Sequence, residues 1–324
     1  MTANNPLSAV ASTVVPTGDH NRERVTMDVA ITGSSGLIGT ALCRHLEQRG
    51  DRVIRVVRRA PQPGDDAIEW HPERDEIDAG GFEGIDAVVN LAGESIGARR
   101  WSTEQKRRLI DTRVRSTTLL SRTLAQASRP PATLVSGSAM GYYGDRGSAE
   151  LRESSAQGSG FLADLAAAWE AATEEASRAG RRVAHVRTGL VLDAEAPALT
   201  RMLLPFKLGL GGRLGSGRQF WSWISLADDV RAITWLLDHD IAGPVNLVGP
   251  APVTNAEFSR ALGRALHRPA LLPVPKLALR LLLGRELADE LLFASQRVLP
   301  EVLLGSGFAF EHETIDAALA AALH

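Results

Sequence analysis

A glycine-rich turn between an apolar run and a helical pattern is the feature that most constrains this chain of 324 residues. Residues 29–31 are apolar, residues 32–39 have the sequence T-G-S-S-G-L-I-G, and residues 41–46 continue with helical spacing. A helix that begins at such a turn presents free backbone N–H groups and the positive end of its dipole, which together hold phosphate. The order strand, turn and helix predicts a dinucleotide site whose contacts are Gly33, Ser34, Ser35, Gly36, Leu37, Ile38 and Gly39.

Each glycine has a separate expected role. Gly33 allows the tight turn, Gly36 lets a pyrophosphate approach the backbone, and Gly39 lets the helix lie close to the strand. The spacing is G-x-x-G-x-x-G, which differs from the usual G-x-G-x-x-G. The alternative is a glycine-rich turn with no ligand.

The rest of the chain favours an α/β fold, a Rossmann-type doubly wound parallel sheet with a smaller, mainly helical C-terminal substrate lobe. Strand-like runs alternate with helical patterns up to residue 192, which is typical of parallel sheets. We expect an NADP-binding core at 27–192, to which 225–250 return. The chain becomes loop-rich and then mainly helical at 193–224 and 251–324, which we expect to form the smaller lobe, and we expect a disordered N-terminal tail at 1–26. Expected helices cover 37–49, 102–126 and 161–179, with a capping box at 102–105 and a strand at 183–192.

Composition excludes several classes of protein. The formal net charge is −2 and the basic residues form no stripe with aromatic residues, so we expect no nucleic-acid partner. The single cysteine, Cys43, fits a reducing compartment, and the N-terminal segment lacks the pattern of a secretory signal. The longest apolar run, 277–283, is too short to span a membrane. The eight histidines lack metal-ligand spacing, so we predict a cytoplasmic protein with neither metal nor membrane partner.

The residues after the second strand predict which dinucleotide is bound. An NAD site places Asp or Glu about twenty residues beyond the glycines. Here the strand ends Val56-Val57-Arg58-Arg59, without a carboxylate. A guanidinium pairs with a 2′-phosphate that an acid would repel, so the pattern favours NADP(H), with Arg58 preferred and Arg59 second. The alternative is a solvated basic pair.

The glycine turn, residues 90–93 (N-L-A-G), 136–138 (S-G-S) and 143–144 (Y-G) together resemble the extended short-chain dehydrogenases/reductases. More narrowly, residues 141–144, 215–224 and 243–310 resemble the atypical "epimerase family" branch, and the likeness covers 27–323. The resemblance implies a Rossmann core, bound NADP(H) and a small C-terminal substrate lobe. We expect Leu91, Ala92 and Gly93 to let the cofactor pass close to the backbone. Arg187 ends the next strand, where it either forms the nicotinamide floor or simply terminates the strand.

The usual catalytic pair of this family is missing. The pattern Tyr-x-x-x-Lys occurs nowhere, and Phe161 and Leu165 occupy the expected positions. Three interpretations remain open. Tyr142 or Tyr143 supplies the hydroxyl while Ser138 polarises the substrate, or another acid such as Asp164 or Glu94 acts, or the cofactor is bound without turnover.

On the substrate side, Gln219, Trp221 and Trp223 combine stacking area with hydrogen bonding, although two tryptophans at i and i+2 also fit one buried strand face. We predict an NADP(H)-binding epimerase- or oxidoreductase-like protein, monomeric or homodimeric, acting on a small polar substrate such as a sugar derivative. The alternative is an NADP(H)-binding sensor without catalysis.

Overall fold

A parallel eight-stranded sheet with helices on both faces forms the centre of the computed structural model, which describes residues 26–323. The strand order is β12-β8-β6-β5-β1-β2-β3-β4, and only β4 is antiparallel to its neighbour. The strands of this sheet are β1 (Asp28–Thr32), β2 (Arg52–Val57), β3 (Ala67–His71), β4 (Glu76–Ile77), β5 (Ala87–Asn90), β6 (Thr133–Ala139), β8 (Arg182–Thr188) and β12 (Gly243–Leu247). The expected doubly wound sheet is confirmed, whereas all but Thr26 of the predicted tail lies outside the described residues.

Shorter strands pair in twos beside this sheet. They are β7 (Glu150–Leu151) with β14 (Arg297–Val298), β9 (Leu190–Leu192) with β11 (Trp223–Ser225), and β10 (Phe220–Trp221) with β13 (Val253–Thr254). The helices are α1 (Leu37–Arg49), α2 (Thr103–Ile110), α3 (Ser116–Gln126), α4 (Phe161–Ala171), α5 (Glu174–Arg178), α6 (Pro197–Lys207), α7 (Leu226–Asp238), α8 (Asn255–Ala265), α9 (Lys276–Leu283), α10 (Arg285–Ala288), α11 (Glu301–Gly305) and α12 (Ile315–Leu323).

The first strand, turn and helix form as the sequence predicts. Val29, Ala30 and Ile31 are fully buried, and α1 covers residues 37–49. Gly50 ends the helix with φ of 94°, a left-handed conformation that suits glycine.

The predicted helix at 102–126 is divided by a π-helical turn, Asp111–Arg115, between α2 and α3. Ser102 is the N-cap and accepts a hydrogen bond from the Gln105 N–H at 3.1 Å. The expected capping box is wrong in its second half, because the Gln105 side chain donates to Glu94 instead. The predicted helix at 161–179 is likewise two helices, α4 and α5, with a break at 172–173.

The predicted strand at 183–192 separates at Gly189 into β8 and β9. A side chain at this position would come within 2.8 Å of the Ser222 carbonyl oxygen, so the close approach of the segment before β11 requires glycine here. As a result β9 leaves the main sheet and pairs with β11, while β12 joins β8 in parallel as expected.

Apolar side chains pack on both faces of the sheet and in a third cluster outside it. One face buries Leu42, Leu46 and Ile233, and the opposite face buries Leu120 and Leu124. The third cluster contains residues that precede β12 in the chain and residues that follow it: Leu192, Leu199, Phe206, Trp223, Phe258 and Leu319. Near the C-terminus, Leu303 and Phe308 pack against the sheet rather than within this cluster. Among residues 26–323, no helix is long and apolar enough to cross a membrane.

Candidate functional site

The strand order reverses between β1 and β5, and parallel sheets bind ligands at the carboxyl ends of such strands. A buried hydrogen-bond network holds this edge. Thr32 Oγ1 donates to Asn90 Oδ1 at 2.7 Å and accepts from the N–H groups of Leu91 and Ala92. Asn90 in turn donates to Thr117 Oγ1 at 2.8 Å. The ends of β1 and β5 are therefore fixed relative to each other.

The glycine turn lies at this edge and is shaped by close backbone contacts. Gly33 has φ of 67°, and a Cβ there would lie 2.6 Å from the Leu91 carbonyl oxygen. A Cβ on Gly39 would collide with the Gly33 carbonyl oxygen. Gly36 differs, because its backbone conformation is open to any residue and its Cβ would meet only the Gly33 oxygen, at 3.3 Å. The fold itself therefore requires glycine at 33 and 39, whereas at 36 a Cβ would make one tight contact with a backbone oxygen and otherwise point into open space.

The start of α1 offers hydrogen-bond donors to that open space. No side chain caps this helix, and Gly36 and Ser35 are exposed. The first backbone N–H groups of a helix have no partner within it, and they carry the positive end of its dipole. The turn is thus a cradle for a phosphate group.

The two arginines after β2 differ in their partners. Arg59 forms an ion pair with Asp65 at 2.7 Å and donates to the Ala60 carbonyl. Arg58 is exposed, and the described residues include no hydrogen bond or ion pair to it. Of the two arginines, Arg58 is therefore the one whose guanidinium is available to a ligand bound at the glycine turn.

A polar cluster occupies the ends of β6 and β8. Ser138 Oγ donates to Glu170 Oε1 at 2.6 Å, and Arg187 binds both oxygens of the same carboxylate, at 2.7 and 2.8 Å. Burial alone would lower the pKa of Arg187, but the hydrogen bonds to Glu170 and Tyr143 raise it above its usual value. Ser138, whose proton is directed to Glu170, can accept a hydrogen bond from a substrate hydroxyl.

This arrangement changes the expected role of Arg187. The residue is 3% exposed, and four of its five N–H groups donate to Glu170, the Tyr143 hydroxyl and the Glu153 carbonyl. The guanidinium therefore serves mainly to hold Glu170 and Tyr143 in place. Glu170 was not found from the sequence, because no motif marks it; it follows Phe161 by nine residues on α4.

The two tyrosines occupy different environments. Tyr143 is fully buried, and its hydroxyl donates to Asn246 Oδ1 at 2.7 Å and accepts from Arg187 at 3.0 Å. Burial raises the pKa of this phenol. The structure thus removes Tyr143 from the candidate catalytic groups. Tyr142 is partly exposed and its ring covers the Arg187 guanidinium at 3.5 Å, so it stays a candidate.

The three predicted substrate residues do not line an open surface. Trp223 is 1% exposed and donates to the Ala251 carbonyl, while Trp221 donates to that of Leu292. Gln219 is buried and donates to the carbonyls of Leu214 and Leu292. Their side chains fasten segments 214–223 and 251–296 to each other, which is the strand-face alternative raised above. The Ser225 hydroxyl contacts His312 Nδ1 at 3.0 Å.

Phe161 and Leu165, at the positions of the missing catalytic pair, are partly buried and buried, respectively. Lys106 lies beside Phe161, with its Nζ 5.0 Å from the ring centroid, and forms an ion pair with Glu286. Trp101 packs edge-on against the same ring. Sequence reasoning missed this cluster because Lys106 belongs to α2, far from Phe161 in the chain. The two other acids considered, Glu94 and Asp164, bind Gln105 and Gln157. Residues 26–323 contain no group of acidic, histidine or cysteine side chains able to hold a metal ion.

The doubly wound sheet and the glycine turn at its carboxyl edge are those of the dinucleotide-binding class of proteins, and the family comparisons agree. The model of the NAD dependent epimerase/dehydratase family matches residues 29–249, and a domain of unknown function (DUF1731) matches residues 274–322. The chain belongs to the NAD dependent epimerase/dehydratase family.

Similar proteins extend over nearly the whole chain. An epimerase family protein of Mycobacterium tuberculosis is 48% identical over 292 residues, covering 90% of this chain and 96% of its own length. The crystal structure of human epimerase family protein SDR39U1 with NADPH has a TM-score of 0.82 at 35% identity, covering 91% of this chain and 98% of that one. A UDP-N-acetylglucosamine 4-epimerase from Bacillus cereus has a TM-score of 0.71 at 16% identity over 91% and 98%, which supports the fold alone.

Proposed function

We propose that this protein binds NADP(H) at the glycine turn and acts as an oxidoreductase or epimerase-like enzyme on a small polar substrate. The observation that carries the proposal is the open position at Gly36. The backbone conformation there suits any residue and a Cβ would meet a single backbone oxygen, so the missing side chain leaves room for a pyrophosphate against the N-terminus of α1. The residues present therefore fit a dinucleotide.

The preference for the 2′-phosphorylated cofactor rests on Arg58. It lies directly after β2, where an NAD site carries an acid, and it forms no hydrogen bond or ion pair with the described residues, although the exposed acid Glu73 lies near enough to interact with its charge. The human relative of known structure was crystallised with NADPH, which supports the same assignment. When bound, the nicotinamide ring would supply or accept a hydride.

Proton transfer is assigned to the chain's own groups at the ends of β6 and β8. Ser138 and Glu170 form a hydrogen-bonded pair that can hold a substrate hydroxyl. Tyr142, whose ring covers the Arg187 guanidinium, is the candidate phenol. Phe161 cannot exchange a proton, so the chemistry differs from that of the tyrosine–lysine pair. Binding without turnover stays the second candidate, because this usual pair is absent.

The substrate class, the oligomeric state and the cellular location of the protein are proposals as well. The aromatic and cationic side chains of Trp101, Phe161 and Lys106 favour a small polar molecule. We propose that the protein works in the cytoplasm, as a monomer or homodimer, without nucleic acid or membrane; the single cysteine and the near-neutral charge support this.

The test is a fluorescence titration with NADPH and NADH on the wild type, Arg58→Ala and Arg59→Ala. Loss of a charged contact to phosphate costs about 1.5–3 kcal/mol, so Arg58→Ala should weaken NADPH binding by about tenfold or more and leave NADH binding unchanged. Arg59→Ala is the matched control, because Asp65 already holds that side chain. Equal wild-type affinity for both dinucleotides would contradict the NADP(H) assignment. A panel of hydroxyl and carbonyl compounds, followed at the nicotinamide absorbance with Tyr142→Phe, then separates catalysis from binding alone.

A further inference from the structure

A lysine ammonium lies beside the ring that occupies the position of the missing catalytic tyrosine. Lys106 Nζ is 5.0 Å from the centroid of the Phe161 ring and 5.9 Å from that of Trp101, and the two rings pack edge-on. Both distances fall within the range of about 6 Å over which a cation is attracted to an aromatic face. All three residues are partly exposed. Trp101, Lys106 and Phe161 thus form a cationic site with aromatic walls that solvent can reach, here called the lysine subsite.

The charge of the lysine subsite has spare hydrogen-bond donors. Only three of the 36 lysine and arginine residues in the chain are lysines, and Lys106 is one of them. An ammonium is a compact charge with three donors, whereas a guanidinium is a planar fork. Among residues 26–323, Lys106 contacts the Glu286 carboxylate and the two rings, and it has no other hydrogen bond or ion pair. Two of its donors are therefore available to a ligand.

The ion pair with Glu286 is of a kind that another anion can replace. The Glu286 side chain is 47% exposed and that of Lys106 is 28% exposed. Exposed ion pairs contribute little to stability, because water and salt screen them. Glu286 has no second partner among residues 26–323. Rotation of one exposed side chain is thus enough to release the ammonium.

The other charged groups around the lysine subsite favour an anion as the replacement. Glu94 is held by two side chains of α2, and Glu290 caps the N-terminus of α4, so neither carboxylate is free to take the place of Glu286. Arg99 and Arg100, exposed residues of the loop before α2, add positive charge. When Glu286 turns away, the charge of the subsite is left uncompensated and attracts an anionic group.

We propose that Lys106 binds an anionic group of the substrate, a carboxylate or a phosphate, in exchange for Glu286. A cyclic part of the same molecule then lies against the rings of Trp101 and Phe161. Because Phe161 cannot exchange a proton, this position of the site contributes orientation by charge. The proposal narrows the small polar substrate to an acid, and to that extent it rests on the proposed function.

Fluorine NMR tests this with three probes that share one ring: 4-fluorobenzoate, 4-fluorophenyl phosphate and the neutral 4-fluorobenzyl alcohol. Each is titrated into wild type, Lys106→Met, Lys106→Arg and Glu286→Gln, with and without NADPH. We expect at least one anion to bind the wild type about tenfold more tightly than the alcohol, because hydrogen bonds to charged groups are the stronger ones. The ratio of the two anion affinities then identifies the preferred group.

The variants should shift anion binding in opposite directions. Lys106→Met should abolish the preference for anions over the alcohol, and Lys106→Arg should keep part of it. Glu286→Gln should bind the anions several-fold more tightly than the wild type, because the competing carboxylate is gone. A purely structural ion pair does not produce this gain.

The matched control is Lys276→Met. Lys276 also pairs with an acid, Asp289, at 3.2 Å and lies over a ring, 4.6 Å from the centroid of Phe293, but it is not part of the lysine subsite. This variant should bind all three probes as the wild type does. Thermal unfolding without ligand should leave Lys106→Met and Glu286→Gln close to wild type, because their ion pair is exposed. If Lys106→Met does not fold, the opposite shifts in Lys106→Arg and Glu286→Gln provide the test.

The outcomes are distinct. If the wild type fails to bind NADPH, the proposed function is wrong, while the titrations without NADPH still show whether Lys106 binds anions. If the anions bind no better than the alcohol, or bind Lys106→Met as well as wild type, the inference is overturned. It is also overturned if Glu286→Gln leaves anion affinity unchanged while both variants of the pair lose stability, since the pair would then be structural only.

Discussion

Two adjacent tyrosines have different environments, because Tyr143 is fully buried and Tyr142 is partly exposed. We expect Tyr143→Phe to lower the free energy of unfolding by about 1–3 kcal/mol, because it leaves the buried Asn246 Oδ1 without a partner and removes one acceptor from Arg187 Nη1. Its NADPH affinity should match wild type, since the hydroxyl does not reach the open edge. Tyr142→Phe is the matched comparison and should keep wild-type stability. Urea unfolding measures both; unchanged stability in Tyr143→Phe would contradict its structural role.

Asp229 is a fully buried acid on α7, and neither carboxyl oxygen has a hydrogen-bond partner. Burial raises its pKa from 3.8 to about 8. The folded protein therefore keeps a proton that the unfolded chain releases above pH 4, so the free energy of unfolding falls as pH rises from about 4 to 8. Asp229→Asn does not titrate, and it should be roughly 1–3 kcal/mol more stable than wild type at pH 8, with the difference shrinking toward pH 4.

Urea unfolding at pH 5, 6, 7 and 8 checks this slope. The control is Asp228→Asn in the same helical turn, whose carboxylate accepts from Arg231 and from the N–H groups of Glu311 and His312. That substitution should destabilise the protein at every pH. Parallel pH profiles for wild type and Asp229→Asn would rule out a buried, protonated Asp229.

Among individual residues, the backbone conformations that favour glycine were predictable from the sequence. The hydrogen-bond partners of the side chains were not. The tight turn at Gly33 and the helix end at Gly50 follow from conformations that only glycine adopts easily. The burial of Trp223 and the hydrogen bonds of Arg187 depend on segments far apart in sequence, which no local pattern encodes. The same holds for Arg113, which the π-helical turn brings to Gly93.

Among the elements, the turn and α1 allow a comparison of two glycines. Gly36→Ala should change stability by less than about 1 kcal/mol but lower NADPH affinity at least tenfold, because its Cβ enters the space left for the pyrophosphate. Gly39→Ala should destabilise the protein by about 2 kcal/mol or more, because its Cβ collides with the Gly33 carbonyl. Thermal unfolding and NADPH titration of both variants measure these effects. Normal NADPH binding by a folded Gly36→Ala protein would refute the cradle.

The helices and strands also show which structural features the sequence alone did not predict. Hydrophobic periodicity placed α1 and most strands correctly, because each depends on its own buried face. The breaks at 111–115, 172–173 and Gly189 arise from contacts with neighbouring segments. At Gly189 the segment before β11 approaches too closely for a side chain, and this close approach redirects the chain out of the sheet.

In the molecule as a whole, residues 276–293 bury only Leu287 and Ala288 and make several polar contacts to the rest of the chain. Helix α9 has no buried residue, and Leu277, Leu281 and Leu282 are exposed. Arg100 donates to the carbonyls of Leu281 and Leu282, and Lys106 pairs with Glu286. Segments with little apolar burial open at low free-energy cost. This part should therefore exchange its amide hydrogens faster than the sheet.

Glu290 attaches this segment to the first turn of α4. Its carboxylate accepts from the N–H groups of Phe161 and Leu162, at 3.0 and 2.8 Å, and so caps α4. Glu290→Ala removes a charge at a helix N-terminus, worth about 0.5–2 kcal/mol, and the attachment of residues 276–293 with it. Hydrogen exchange should become several-fold faster in 276–293 and in the first turn of α4, while β1 and β5 stay unchanged, because their network does not involve Glu290. Glu313→Ala, an exposed acid elsewhere in the C-terminal part, is the control and should leave both regions as in wild type. Faster exchange throughout the sheet in Glu290→Ala would instead mean that the segment and the core unfold as one unit.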